Sequence, residues 1–262
     1  MKTKLTSNQR CALLNLIVAL GICLIATSAR VCAESTVYNT TLGETNPVTP
    51  EINTEQLEKI IADSSAPVLD VRFAQEYAIA HILGSINIPE KEVETIVQRF
   101  SDKATLIVLY CNGPFCGKSK RVSAELVKLG YTNVKRYQLG VPIWRALGHT
   151  VQTDLAGFQY VFRADKTAVV VDARSRGEFE QGSVPGAVNI LAGEAEQANE
   201  PADGRLPHKD KGTRVVVFAG DPKDARKVAE EIAKKAYWNS SYFGGTADEL
   251  KANGLWQQKK LK

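Results

Sequence analysis

Residues 70–88 and 172–190 of this 262-residue chain carry the same pattern. Asp70, Arg72, Glu76, Tyr77, Gly84, Asn87 and Ile88 are matched by Asp172, Arg174, Glu178, Phe179, Gly186, Asn189 and Ile190. The offset is 102 at every pair and holds without slippage over 19 positions. A period that long, kept in register, means two copies of one domain. Further along, residues 106–110 (LIVLY) correspond to 215–218 (VVVF). Gly140, Trp144 and Gly148 correspond loosely to Gly244, Gly245 and Gly254. The boundary is expected at 149–153, giving copies at 52–150 and 151–262. The chain is long enough for two domains of about 100–130 residues each.

Each copy reads as α/β, a central parallel sheet flanked by helices. Residues 53–63 predict a helix capped by Asn53 or Thr54, with Leu57, Ile60 and Ile61 as its apolar stripe. Residues 67–71 and 105–110 predict buried strands. Residues 118–129 predict a second helix, with Val122, Leu126 and Leu129 on one face and Gly130 as its stop. Strands alternating with helices place functional loops at the carboxyl ends of a parallel sheet.

The first 33 residues are a separate matter. Lys2, Lys4 and Arg10 precede an apolar run over 11–26, and Val31, Cys32 and Ala33 follow. That order is expected of a signal peptide cut after Ala33 or Ala29. The alternative is an uncleaved anchor, because 11–29 approaches the length of a spanning helix. Either way the remainder is expected to be exported: periplasmic or secreted if the leader is cut, tethered to the membrane if it is not. The leader holds four of the 33 basic residues and no acid, which leaves 29 basic against 29 acidic residues. A balanced charge gives no reason to expect nucleic acid. Residues 34–51 are polar, without period, and read as a tether.

Three of the five cysteines also lie in the leader, leaving Cys111 and Cys116 in the stretch YCNGPFCGKSKR over 110–121. A disulfide scaffold would scatter its cysteines. One close pair points to reactivity. A strand ends at Tyr110 and a helix begins near Lys118, so Cys111 is expected near a helix N-terminus among backbone N–H groups. Lys118, Lys120 and Arg121 add positive charge, and all these effects would favour the thiolate.

The pattern D-x-R-x3-E-[YF], then Gly-x-x-Asn-[IV], then an apolar strand ending in Tyr-Cys, resembles the rhodanese (sulfurtransferase) domain. The resemblance covers about 52–150 and 155–258. It implies that Cys111 is a nucleophile that takes a sulfur atom from a donor such as thiosulfate and holds it as a persulfide. Cyanide or a thiol would accept the sulfur, and no metal or organic cofactor is implied. In the loop Asn112, Gly113, Pro114, Phe115, Cys116, Gly117 and Lys118, every residue but the proline would offer a main-chain donor to the cradle, with Lys118 and Ser119 touching the donor. The loop is longer than the usual six residues of the family. Arsenate or phosphate chemistry, known on this fold, is less favoured, because Gly117 stands where an arginine would clamp the anion.

In the second copy Ala219 occupies the place of the cysteine, and Asp221 and Asp224 would repel an anion. That copy is expected to be inactive. An active copy placed first reverses the usual order in two-domain sulfurtransferases. Cys116 is open to three readings: a resolving thiol, a disulfide partner or a small buried filler. Asp70 and Arg72 read as framework, since both recur in the second copy; Asp70 would hold loop N–H groups and Arg72 would pair with Glu76. His81, with Ser183 as its counterpart, reads as a packing or surface residue. Trp144 and Trp256 read as core or domain-contact residues. The alternative function is a non-catalytic module for anions or partners, or a redox sensor using the two thiols.

Overall fold

The computed structural model describes residues 36–258. The leader expected at 1–33 lies outside the described residues. Among the described residues no helix is long and apolar enough to cross a membrane.

The first sheet is built from β1 (Val68–Asp70), β2 (Ile86–Asn87), β3 (Ile107–Tyr110) and β4 (Val134–Tyr137), all parallel, in the order β2-β1-β3-β4. Every residue of β1 and β3 is buried, as expected where helices cover both faces of a parallel sheet. Alternation sorts the side chains. Val68, Val108 and Tyr110 join a core with Leu57, Ile82, Tyr137 and Trp144. Leu69, Ile107, Leu109 and Cys111 join another with Ile96, Val122, Leu126 and Val134. The covering helices are α1 (Thr54–Asp63), α2 (Ala74–Ile79), α3 (Val93–Arg99), α4 (Lys118–Lys128) and α5 (Gly140–Ala146). Asn53 caps α1 through a box in which its side chain takes the Gln56 N–H and Gln56 returns to the Asn53 N–H.

The second copy repeats the plan. It uses β5 (Val151–Thr153), β6 (Val169–Asp172), β7 (Gly182–Ser183), β8 (Val188–Asn189), β9 (Val215–Phe218), β10 (Ser240–Phe243) and β11 (Gln257–Gln258). The main sheet runs β5-β10-β9-β6-β8, while β11 pairs with β7. Its helices are α6 (Leu155–Ala164), α7 (Arg176–Gln181), α8 (Ala195–Ala198), α9 (Pro222–Ala233) and α10 (Ala247–Ala252).

β5 serves both copies. On one edge it pairs in parallel with β10. On the other, Gln152 exchanges two backbone hydrogen bonds with His81, at 2.8 and 2.9 Å. His81 lies 102 residues before Ser183, and Ser183 is held by β11 in the same antiparallel sense. The strand that closes the first copy therefore opens the second. Residues 50–52 play the matching opening part beside β4: Arg136 N–H donates to Pro50 and Ile52 N–H to Arg136. The polar stretch read as a tether is thus largely exposed over its described part but anchored at a few points. Thr49 is buried against Arg136 and Ser123, and the Tyr38 hydroxyl reaches the Leu147 carbonyl at 2.9 Å.

Candidate active site

Tyr110 ends β3 with its ring fully buried and its hydroxyl bonded to Ser85 Oγ at 2.8 Å and to the Ile82 N–H at 3.2 Å. Cys111 follows at the carboxyl end of the central strand. Its carbonyl takes the Val141 N–H at 3.3 Å, which brings the β4–α5 turn beneath the loop. That approach requires Gly140. Its φ is +63°, and a Cβ there would sit 2.3 Å from Gly113 N and 2.4 Å from Cys111 O. The loop folds on itself at Gly113 (φ +97°), whose carbonyl accepts the Cys116 N–H at 2.9 Å. Pro114 and Phe115 form the tip, with Phe115 fully exposed. Gly117 leads into α4.

Cys111 Sγ is buried, 3.4 Å from the Cys116 carbonyl and 3.3 Å from Ser119 Oγ. Both cysteines are free thiols. Burial, and then a hydrogen bond with Cys116, push the Cys111 thiol up to about 11, against the hydroxyl and amide of Ser119, which favour the thiolate. This corrects the expectation of a thiol already ionised by its surroundings. Burial is the main cause, and the three cations expected to offset it are engaged elsewhere. Lys118 Nζ is 3.4 Å from Glu76 Oε2 and 3.6 Å over the Phe73 ring. Lys120 pairs with Glu44, and Arg121 meets Glu90 at 2.5 Å. Each positive charge is paired with a carboxylate from another segment.

A buried polar chain backs the loop, and neither its arginine nor its glutamine stands out in the sequence. Gln138 Nε2 donates to the Cys116 carbonyl at 3.0 Å and, at 3.4 Å, to those of Gly113 and Pro114. Its Oε1 accepts from Ser119 Oγ at 3.0 Å and from Arg136 Nη1 at 2.7 Å. Arg136 is itself buried, with Thr49 Oγ1 at 2.8 Å and Glu44 Oε2 at 2.9 Å. A buried guanidinium with a carboxylate and several acceptors is satisfied, so this chain is rigid support for Ser119 and the loop carbonyls.

Asp70 and Arg72 form a two-point pair, Nε to Oδ1 at 2.9 Å and Nη2 to Oδ2 at 2.6 Å. Asp70 also accepts the Arg72 N–H, and Arg72 reaches the Ala80 carbonyl. The second copy repeats this with Asp172, Arg174 and the Gly182 carbonyl. Asn87 and Asn189 each donate to the carbonyls of both members of that pair. The expected pairing of Arg72 with Glu76 is replaced: Arg72 holds Asp70, while Glu76 holds Lys118 and Asn112. Arg72 does differ from its counterpart in one contact, its Nη1 lying 3.2 Å from Asn112 Oδ1 in the loop. Arg174 instead lies 4.5 Å over the Trp256 ring.

Where the first copy has Cys111, the second has the buried Ala219, whose carbonyl takes the Ala247 N–H at 2.8 Å. The loop is cut to Gly220 and Asp221, and Asp221 caps α9 by accepting the Lys223 N–H. A carboxylate already fills the helix N-terminus there. His81 is buried and stacked on Tyr77 at 3.8 Å. Trp144 is buried in the first core and donates to the Thr150 carbonyl.

Comparison with known proteins places these features among relatives. PspE of Escherichia coli (strain K12), a thiosulfate sulfurtransferase, is 41% identical over 69 residues, 26% of this chain and 64% of PspE. The chain thus spans just under two thirds of that relative's length. GlpE of Pseudomonas entomophila (strain L48), also a thiosulfate sulfurtransferase, is 32% identical over 104 residues, 38% of this chain and 91% of GlpE. Among solved structures, a thiosulfate sulfurtransferase from Pseudomonas aeruginosa aligns with 79% of this chain and 43% of its own, at 22% identity and a TM-score of 0.34. The Rhodanese-like domain family matches twice, at 53–147 and 161–251. The chain, with its two matching sheets and its cysteine at the end of β3, belongs to the rhodanese-like family as a tandem of two such domains.

Proposed function

We propose that the first domain is a sulfurtransferase site in which Cys111 carries the sulfur, and that the second domain is catalytically inactive. The observation that carries the reading is the placement of the Cys111 sulfur between the carboxyl end of β3 and the start of α4. The hydroxyl and amide of Ser119 are on it, and Ala219 stands at the matching place in the second copy. A methyl group cannot accept sulfur. The sulfurtransferase relatives support the same chemistry.

The Cys111 thiolate attacks the outer sulfur of a donor such as thiosulfate, a new S–S bond forms, and sulfite leaves with the electron pair of the broken bond. The persulfide then gives its outer sulfur to cyanide, forming thiocyanate, or to a thiol, and the Cys111 thiolate is restored. The buried thiol has to be uncovered before the donor arrives. Opening brings water to the sulfur, which lowers the cost of ionising it. With its leader cut, the protein would work in the periplasm or outside the cell.

The test is thiocyanate formation from thiosulfate and cyanide by the wild type and by Cys111→Ala. The wild type is expected to turn over and the variant to fall to the uncatalysed rate. Equal rates would leave an anion- or partner-binding module as the better reading.

A further inference from the structure

Cys116 stands where it can decide the fate of a sulfur atom loaded on Cys111. Its carbonyl is 3.4 Å from the Cys111 sulfur, and its side chain packs against the same apolar cluster. The position is held from two sides, by the turn to the Gly113 carbonyl and by Gln138 Nε2 on the Cys116 carbonyl. Both thiols are reduced. A sulfur atom added to Cys111 therefore has a free thiol as its neighbour within the same loop. The residues between them include Gly113, whose φ of +97° turns the chain back so that Cys116 returns to the cluster that holds Cys111.

Resting on the sulfurtransferase reading above, we propose that Cys116 discharges the Cys111 persulfide inside the loop, releasing hydrosulfide and leaving a Cys111–Cys116 disulfide. The Cys116 thiolate attacks Cys111 Sγ, the inner sulfur. The Sγ–Sγ bond forms, the bond from Cys111 Sγ to the outer sulfur breaks, and the outer sulfur leaves as hydrosulfide with the persulfide proton. The sulfane sulfur gains two electrons, and the two cysteine sulfurs lose one each. A dithiol reductant, by exchange, then returns both cysteines to thiols. The chain is in this way a dithiol-driven reducer of sulfane sulfur to sulfide. Cyanide diverts the sulfur only where it reaches the persulfide before Cys116 does.

Reduced protein, freed of reductant and kept anaerobic, is mixed with thiosulfate. Sulfite, sulfide and intact mass are followed for the wild type and for Cys116→Ser. The wild type is expected to release sulfite and sulfide in equal amounts, one of each per chain, and to end lighter by two hydrogens with 111 and 116 cross-linked. Dithiothreitol restarts sulfide release. Cys116→Ser is expected to release sulfite and no sulfide, to gain the mass of one sulfur atom, and to yield thiocyanate when cyanide is added. Sulfite release by both proteins, with both keeping the added sulfur and neither releasing sulfide, would overturn the discharge while leaving the sulfurtransferase reading intact. If neither releases sulfite, Cys111 is not loaded and both readings fall.

Discussion

A thiol held neutral by burial reacts in proportion to its thiolate fraction, and Cys111 is such a thiol. The cations expected to ionise it are each tied to a glutamate: Lys118 to Glu76, Lys120 to Glu44 and Arg121 to Glu90. With the thiol pushed up to about 11, alkylation of Cys111 in the closed loop is expected to rise about tenfold per pH unit from neutrality and to level off near that value. Iodoacetamide labelling followed by peptide mapping checks this. A rate already flat at pH 8 would show an ionised thiol and contradict the closed geometry. Stability has the matching sign. A folded-state thiol raised above the ordinary value of about 9 leaves stability complete below that pH and lowers it as pH climbs toward about 11. Cys111→Ala is expected to remove this component from a pH series of denaturant midpoints.

Close backbone approaches decide how the elements dock, and they are poorly marked in sequence. Gly157 lies in α6, and a Cβ there would come 2.0 Å from the Ala78 carbonyl oxygen at the contact with α2. In an unconstrained helix Gly→Ala gains about 1 kcal/mol. Here the contact reverses the sign, and Gly157→Ala is expected to cost about 1–3 kcal/mol and to lower Tm by several degrees, as calorimetry would show. Local signals were legible. The cap at Asn53, the face of Val122 and Leu126 on α4 and the 102-residue offset all act within or between short segments, though Leu129, expected on that face, ends the helix exposed; the offset correctly paired Asp70, Arg72 and Asn87 with Asp172, Arg174 and Asn189. What escaped detection depends on distant partners. Arg136 and Gln138 lie in and just beyond the short strand β4, and Arg136 is buried because Glu44 and Thr49, about 90 positions earlier, reach it. The same long-range contacts anchor the stretch read as a tether to the first domain at Glu44 and Thr49.

Across the whole molecule, the described residues from Val37 onward pack as one unit, and β5 explains why two domains behave so. Its one edge closes on His81 and its other on β10, while Thr153 Oγ1 reaches the Ile79 carbonyl and the Asp154 N–H reaches that of Ala78. Heat is expected to unfold the protein in one calorimetric transition. A chain ending at His149 should lose the His81 pairing and bare the face of α2, giving a lower and broader transition. Two separate transitions in the full protein would show that the copies are independent. The second domain, proposed here to be inactive, thus has a structural part, packing β5 and α6 against His81 and α2 of the first. The most direct measurement is the burst of sulfite released in the first turnover with thiosulfate, which does not depend on the acceptor or on Cys116. The wild type is expected to release one sulfite per chain and Cys111→Ser none; an equal burst from both would contradict Cys111 as the atom that takes the sulfur.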